Sequence, residues 1–161
     1  MRHGAIKGFT LIEVLVVLFI MSIVMSVALL SISHHEARQL EAFTKELVER
    51  LTLAEEQAML QPAILGLSIN KNAYQFASNK KEGWLPLQDT ILAHHAIPAT
   101  MQLSLEMGGK KMAIEQDVPQ IVISTNGDIT PFTLYVGQKG KPPRYVIHGE
   151  ADGSIKSTTL T

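Results

Sequence analysis

The sequence predicts an α+β fold: a long N-terminal α-helix packed on an antiparallel β-sheet or on two small sheets. Three observations predict it. Neither glycine nor proline occurs between Phe9 and Gln61, and the second half of that interval carries apolar residues at spacings of three and four. From Pro62 onward the chain holds all 7 prolines and all but two of its 11 glycines, set between short apolar and β-branched runs. Asn126-Gly127 and Asp152-Gly153 are type I′ hairpin signals, and Gly108-Gly109 is a weaker one.

The 161 residues are 46% hydrophobic and 18% charged, with mean hydropathy +0.15. That amounts to one domain with an appendage, and it excludes a disordered chain. The 14 Lys and Arg against 15 Asp and Glu give a net charge of −1, so no global basic field exists to hold nucleic acid. With no cysteine, disulfides, thiolate metal sites and cysteine nucleophiles are absent together, which leaves the 6 histidines as the metal resource.

The first element is apolar. Val14 to Ile32 contains no charged residue and is interrupted by Ser22, Ser26 and Ser31. Counted from Leu11, it extends about 33 Å at about 1.5 Å per residue, enough for a hydrocarbon core of about 30 Å. Arg2, His3 and Lys7 precede it, and the next basic residue is Arg38. The positive-inside rule therefore predicts a cytoplasmic N-terminus and places residues 34–161 in the periplasm or outside. Ser31 and Ser33 imitate a secretory cleavage site, but the apolar run is long for a signal and passes directly into an amphipathic helix, so it reads as retained.

Leu40, Phe43, Leu47, Leu51, Ala54 and Ala58 form the apolar stripe of that helix. Glu41 with Lys45, and Glu46 with Arg50, are i,i+4 pairs in the favourable order. The hydroxyl and imidazole side chains from Ser31 to His35 form helix less readily and mark a place for a bend. Beyond Pro62, Ile64 to Ile69, Tyr74 to Ala77, Met101 to Met107, Ile121 to Ser124, Phe132 to Val136, Tyr145 to His148 and Ser154 to Thr158 read as short strands.

Gly8-Phe9-Thr10-Leu11-Ile12-Glu13, between a basic leader and the apolar run, resembles the class III signal of type IV pilins and type II secretion pseudopilins. The resemblance implies cleavage between Gly8 and Phe9 by a membrane peptidase, N-methylation of Phe9 by the same enzyme, and an assembly role for Glu13. The residues themselves give Glu13 a reason to seek a partner, because an ionised carboxylate at full membrane depth costs about 2.5–3.5 kcal/mol. The new α-amino group of Phe9, on the same chain or a neighbour, is such a partner.

Ala54-Glu55-Glu56-Gln57-Ala58, Tyr74-Gln75-Phe76, Trp84-Leu85-Pro86-Leu87 and the run Asn126 to Leu134 are similar, in order, to the H-type minor pseudopilins of type II secretion. Many relatives carry glycine or proline within the membrane segment, where this chain has Ser22 and Leu30. The resemblance implies a leader at 1–8, a membrane and filament-core helix at 9–33, and a pilin-like periplasmic domain at 34–161. It further implies a structural subunit near the tip of the pseudopilus that helps export folded proteins. Its partners would be the major and other minor pseudopilins, the prepilin peptidase and methyltransferase, and the inner-membrane assembly platform, with no nucleic acid, no metal and no cofactor. The alternatives are a minor pilin of a type IV pilus, including the DNA-uptake kind, and a membrane-anchored periplasmic enzyme.

The remaining features have plainer readings. Trp84 to Leu87 and Thr130-Pro131-Phe132 read as loop anchors on the core before they read as contact surfaces. His34-His35 and His94-His95 point adjacent rings to different faces, which suits solvated or capping histidines better than a metal. Glu150, Asp152 and Asp128 fall short of the six to eight oxygens of a calcium site. Lys139, Lys141 and Arg144, beside Tyr145, make a small basic cluster in a loop with Pro142-Pro143, and no nucleophile elbow, P-loop or dinucleotide fingerprint occurs.

Overall fold

The computed structural model describes residues 10–88, 91–114 and 118–160, with the side chains of 27–34 outside the description. It divides into two compact units, Met1–Gln39 and Leu40–Thr161. The helix α1 is Leu11–Leu60, with Ser31 to His35 inside it. Ten strands follow among the described residues: β1 Leu65–Ile69, β2 Ala73–Lys80, β3 Gly83–Pro86, β4 His95–Ala96, β5 Met101–Met107, β6 Lys110–Lys111, β7 Ile121–Ile123, β8 Phe132–Gln138, β9 Pro143–Gly149 and β10 Ile155–Thr159. The predicted α+β class is the observed one, in its two-sheet form.

One sheet has the order β3-β2-β1-β7 with β4 paired on β2, and the other has the order β10-β9-β8-β5-β6. Each ladder is antiparallel. In the second unit, the predicted stripe of α1 is wholly inside: Leu47, Leu51, Ala54 and Ala58 are 0% exposed, and Leu40 and Phe43 are buried too. Alternate residues of both sheets complete the same core, among them Leu65, Leu67 and Ile69 of β1, Leu134 and Val136 of β8, and Ile147 of β9. Phe43 meets Tyr74 edge-on at 6.2 Å, and Tyr74 meets Phe76 at 6.4 Å, so an aromatic chain joins helix to sheet.

Strand β1 is buried along its whole length, because both of its faces are covered. On the outer face a Cβ added to Gly66 would lie 2.5 Å from Pro119 and 2.8 Å from the Trp84 ring, which places those two side chains directly on the backbone. Gln120 completes the strand: its side-chain Oε1 accepts from the Ile69 amide at 2.8 Å, its Nε2 donates to the Ile69 carbonyl at 3.3 Å, and its backbone N–H donates to the Leu67 carbonyl at 3.0 Å. A side-chain amide here stands in for a strand residue and satisfies buried backbone.

The turns correct one expectation. Among the described residues no non-glycine residue has positive φ, so neither Asn126-Gly127 nor Asp152-Gly153 forms a type I′ turn. Both are three-residue hairpin loops closed in the same way. Gly127 N donates to Ser124 O at 3.1 Å and Ser124 N to Asp128 O at 2.8 Å, while Gly153 N donates to Glu150 O at 3.1 Å and Glu150 N to Ser154 O at 2.9 Å. Gly127 (φ +90°) and Gly153 (φ +87°) take the left-handed position that ends such a loop. The weaker signal is the type I′ turn: Gly108 and Gly109 both have positive φ, and Met107 pairs with Lys110 across them.

A Cβ on Gly153 would lie 2.5 Å from Glu55 Oε1 and 2.6 Å from Gly127 O, whereas one on Gly140 (φ +75°) meets nothing within 4 Å. Gly140→Ala should therefore cost about 1 kcal/mol from backbone strain alone, and Gly153→Ala roughly 2–3 kcal/mol. Urea unfolding of the two variants decides the matter, and equal losses would refute close packing at Gly153.

Candidate assembly surface

The processing residues Gly8 and Phe9 lie outside the described residues. Glu13 occupies the first turn of α1, whose start is closed by donation from the Glu13 and Val14 amides to the Thr10 carbonyl at 3.0 and 3.4 Å. A carboxylate there is favoured by the positive end of the helix dipole. Around it the helix is apolar on every face, and its large side chains are open: Leu11, Ile12, Phe19 and Met25 are each more than half exposed. The serines of this stretch turn inward on the backbone, Ser22 Oγ donating to Phe19 O at 2.7 Å and Ser26 Oγ to Ser22 O at 2.8 Å. Their hydroxyls are thereby satisfied without water, as an apolar surrounding requires. Among the described residues no helix is long and apolar enough to cross a membrane. The continuously described apolar side chains stop at Ser26, and the rest of the span expected at 9–33 lies outside them.

In the second unit, two segments singled out in the sequence come together. Glu55 of α1 lies against both left-handed glycines, its Oε1 at 3.4 Å from a Cβ built on Gly127 and at 2.5 Å from one built on Gly153. The twin loops also touch each other, Ile129 N donating to Ala151 O at 3.4 Å. Burial raises the Glu55 pKa, with Glu56 and Asp152 adding repulsion. Asp152 itself is held below the usual range by hydrogen bonds from Ser154. Among the described residues no group of three or more His, Asp or Glu is placed to hold a metal ion.

A second cluster was not legible as such. Arg50 binds Glu46 at 2.5 Å, and its Nη1 also reaches the carbonyl of Ile91 and Nε2 of His95. The His95 ring lies 5.4 Å from that of Tyr74, tilted by 31°. Arg50 thus ties α1 to β2 and to the segment carrying Ile91 and Leu92. This corrects the solvated reading of His95; His94 is exposed. The Glu46–Arg50 spacing was the one available signal, and partners more than 40 positions away have none.

The expected loop anchors divide, and Trp84, Leu85 and Pro86 lie in strand β3 paired with β2, not in a loop. Phe132 is buried beneath Gly149, where an added Cβ would stand 2.1 Å from its ring, and Trp84 covers Gly66, while Leu85 and Pro86 are exposed. The basic cluster also divides: Lys139 and Lys141 sit in the β8–β9 loop, whereas Arg144 lies on β9, near enough to help lower the pKa of Glu41 after the larger effects of Lys45.

A helix over two antiparallel sheets, led by an exposed apolar helical segment, defines the chain as a pilin-like protein. Residues 5–29 match the family described as the prokaryotic N-terminal methylation motif. The chain is 30% identical to type II secretion system protein H of Aeromonas hydrophila, with 94% of this chain and 92% of that one covered. It is also 30% identical to the protein of the same name from Pseudomonas aeruginosa, covering 87% and 88%. Its fold is similar to the structure of the minor pseudopilin EpsH from the type 2 secretion system of Vibrio cholerae (TM-score 0.66, 22% identity, covering 74% of this chain and 95% of that one). The chain belongs to the type II secretion system protein H family.

Tyr74 offers a spectroscopic check on the Arg50 cluster. Burial pushes its phenol up to about 12, against the opposing pull of Arg50. Because an acid whose folded pKa is raised ionises at the expense of the folded state, stability should fall as pH rises from about 10 toward 12. Absorbance titration of the 3 tyrosines should show one late step, absent in Tyr74→Phe. A late step that survives that substitution would refute the assignment.

Proposed function

We propose that this chain is a minor pseudopilin of the type II secretion machinery, a structural subunit and not an enzyme. It is made as a precursor with residues 1–8 in the cytoplasm, held in the inner membrane by 9–33, with 34–161 in the periplasm. The prepilin peptidase cuts between Gly8 and Phe9 and methylates Phe9. The mature chain then joins the major and other minor pseudopilins near the tip of the periplasmic filament, on the inner-membrane assembly platform.

The observation that carries this reading is the helix from Leu11 to Met25, apolar and exposed on every face, in a chain whose unit Leu40–Thr161 has a core of its own. Apolar surface gains about 25 cal/mol per Å² on leaving water, so a segment of this kind requires an apolar surrounding. Lipid supplies it before assembly, and the packed helices of a filament supply it afterwards. Glu13, at the edge of that segment, supplies the charge partner for the cationic amine of a neighbouring Phe9. The division of the basic cluster, with Arg144 near Glu41, supports protein neighbours over nucleic acid.

Two measurements test the reading. Intact-mass analysis of membrane-extracted protein should show loss of residues 1–8 and one methyl on Phe9, and Gly8 replaced by a bulky residue should leave the precursor uncut. Residues 1–8 still attached in cells with an active prepilin peptidase would overturn it. Glu13→Leu should be cleaved and inserted normally but crosslink to the major pseudopilin about tenfold less, the loss of roughly 1.4 kcal/mol. Equal crosslinking would leave Glu13 with its helix-terminus role alone.

A further inference from the structure

The far end of α1 carries a second apolar surface, separate from the buried stripe. Leu53 is 40% exposed, Leu60 81% and Ile91 51%, and they line a shallow cavity of about 230 Å³ together with Glu56 and Gln57. On the helix, Leu53, Glu56, Gln57 and Leu60 stand at i, i+3, i+4 and i+7, the repeat by which one helix reads another. The third apolar side is not a loose loop tip, because the Ile91 carbonyl accepts from Arg50 and Leu92 beside it is 2% exposed. Arg50 therefore builds this surface as well as anchoring the segment behind it.

Its electrostatics specify what covers it. Glu56 stands exposed within the patch and Glu49 two turns earlier, while Lys45 and Arg50 are engaged by Glu41 and Glu46. The last turn of α1 has no basic residue to offset the partial negative charge of a helix C-terminus. An apolar strip with a negative rim selects a partner with two apolar residues about seven positions apart and a cation between them.

We propose that Leu53, Leu60 and Ile91 dock an amphipathic helix of a neighbouring pilin-like subunit, with a lysine or arginine of that helix set against Glu56. The proposal rests on the filament role given above and names the surface through which one neighbour is held. It assigns Glu56 to selection of the partner and the three apolar side chains to its retention.

The test uses the full-length chain in membranes of cells that carry the secretion machinery, with a photoreactive amino acid at Leu60 and, as a control, at Thr158 on β10. The expected adduct from Leu60 maps to a helix of a different pilin-like subunit in which a lysine or arginine lies between apolar residues. Glu56→Lys should lower that adduct about tenfold, and reversing the partner's basic residue to glutamate should restore it. Because Glu56 is exposed, Glu56→Lys should keep the wild-type unfolding midpoint, and Leu60→Ser gives a second variant without a charge change. An adduct with a second copy of this chain, with lipid or with nothing would overturn the proposal, as would full crosslinking by Glu56→Lys. Cleavage at Gly8 and recovery in the filament fraction are scored in the same cells. Their failure counts against the filament role, whereas their success without the Leu60 adduct counts against this surface alone.

Discussion

The buried stripe from Leu40 to Ala58 is the constraint on which the globular unit depends. Two five-stranded sheets supply the remaining walls of the core, but neither is closed, and each needs an apolar partner for its inner face. The stripe narrows as it runs, from leucine and phenylalanine to Ala54 and Ala58, and the small residues bring the helix backbone close to what lies above it. At that level Glu55 meets Gly127 and Gly153, two turns that tolerate no Cβ without displacement.

The same helix carries a second, opposite requirement. Its residues from Leu11 to Met25 present apolar side chains in all directions, the pattern of a helix surrounded by apolar matter. Ser22 and Ser26 do not break that pattern, because their hydroxyls bond to carbonyls of the preceding turn. Glu13 is the exception, and it stands where the helix dipole offsets part of its charge. A carboxylate in that place is favoured even without a partner.

The helix stripe and the strand-rich second half were legible because each rests on a period, 3.6 or 2, that survives in the sequence without knowledge of distant residues. What escaped was set by tertiary contact. Strands β4 and β6 are two residues long, too short to show any alternation, and exist because β2 and β5 offer them edges. The Asn-Gly and Asp-Gly dipeptides marked real turns but not their type, since type is fixed by the register of the flanking strands and by how many residues the loop spans. The N-terminal motif was legible as a resemblance, and the roles proposed for Gly8, Phe9 and Glu13 rest on it.

Arg50 shows why the rest of the site was hidden. In sequence it is one half of an ordinary surface pair with Glu46, worth a few tenths of a kcal/mol on an exposed helix. In the fold its side chain is largely covered and reaches Ile91, His95 and the ring system of Tyr74, so that an interaction of little stability becomes the fastening of a whole segment. That fastening sets Leu92 into the core and leaves Ile91 outside it, level with Leu53 and Leu60. One arginine thereby links the interior of the unit to the apolar strip on its surface. The packing of His95 against Tyr74 is thereby part of what positions that strip.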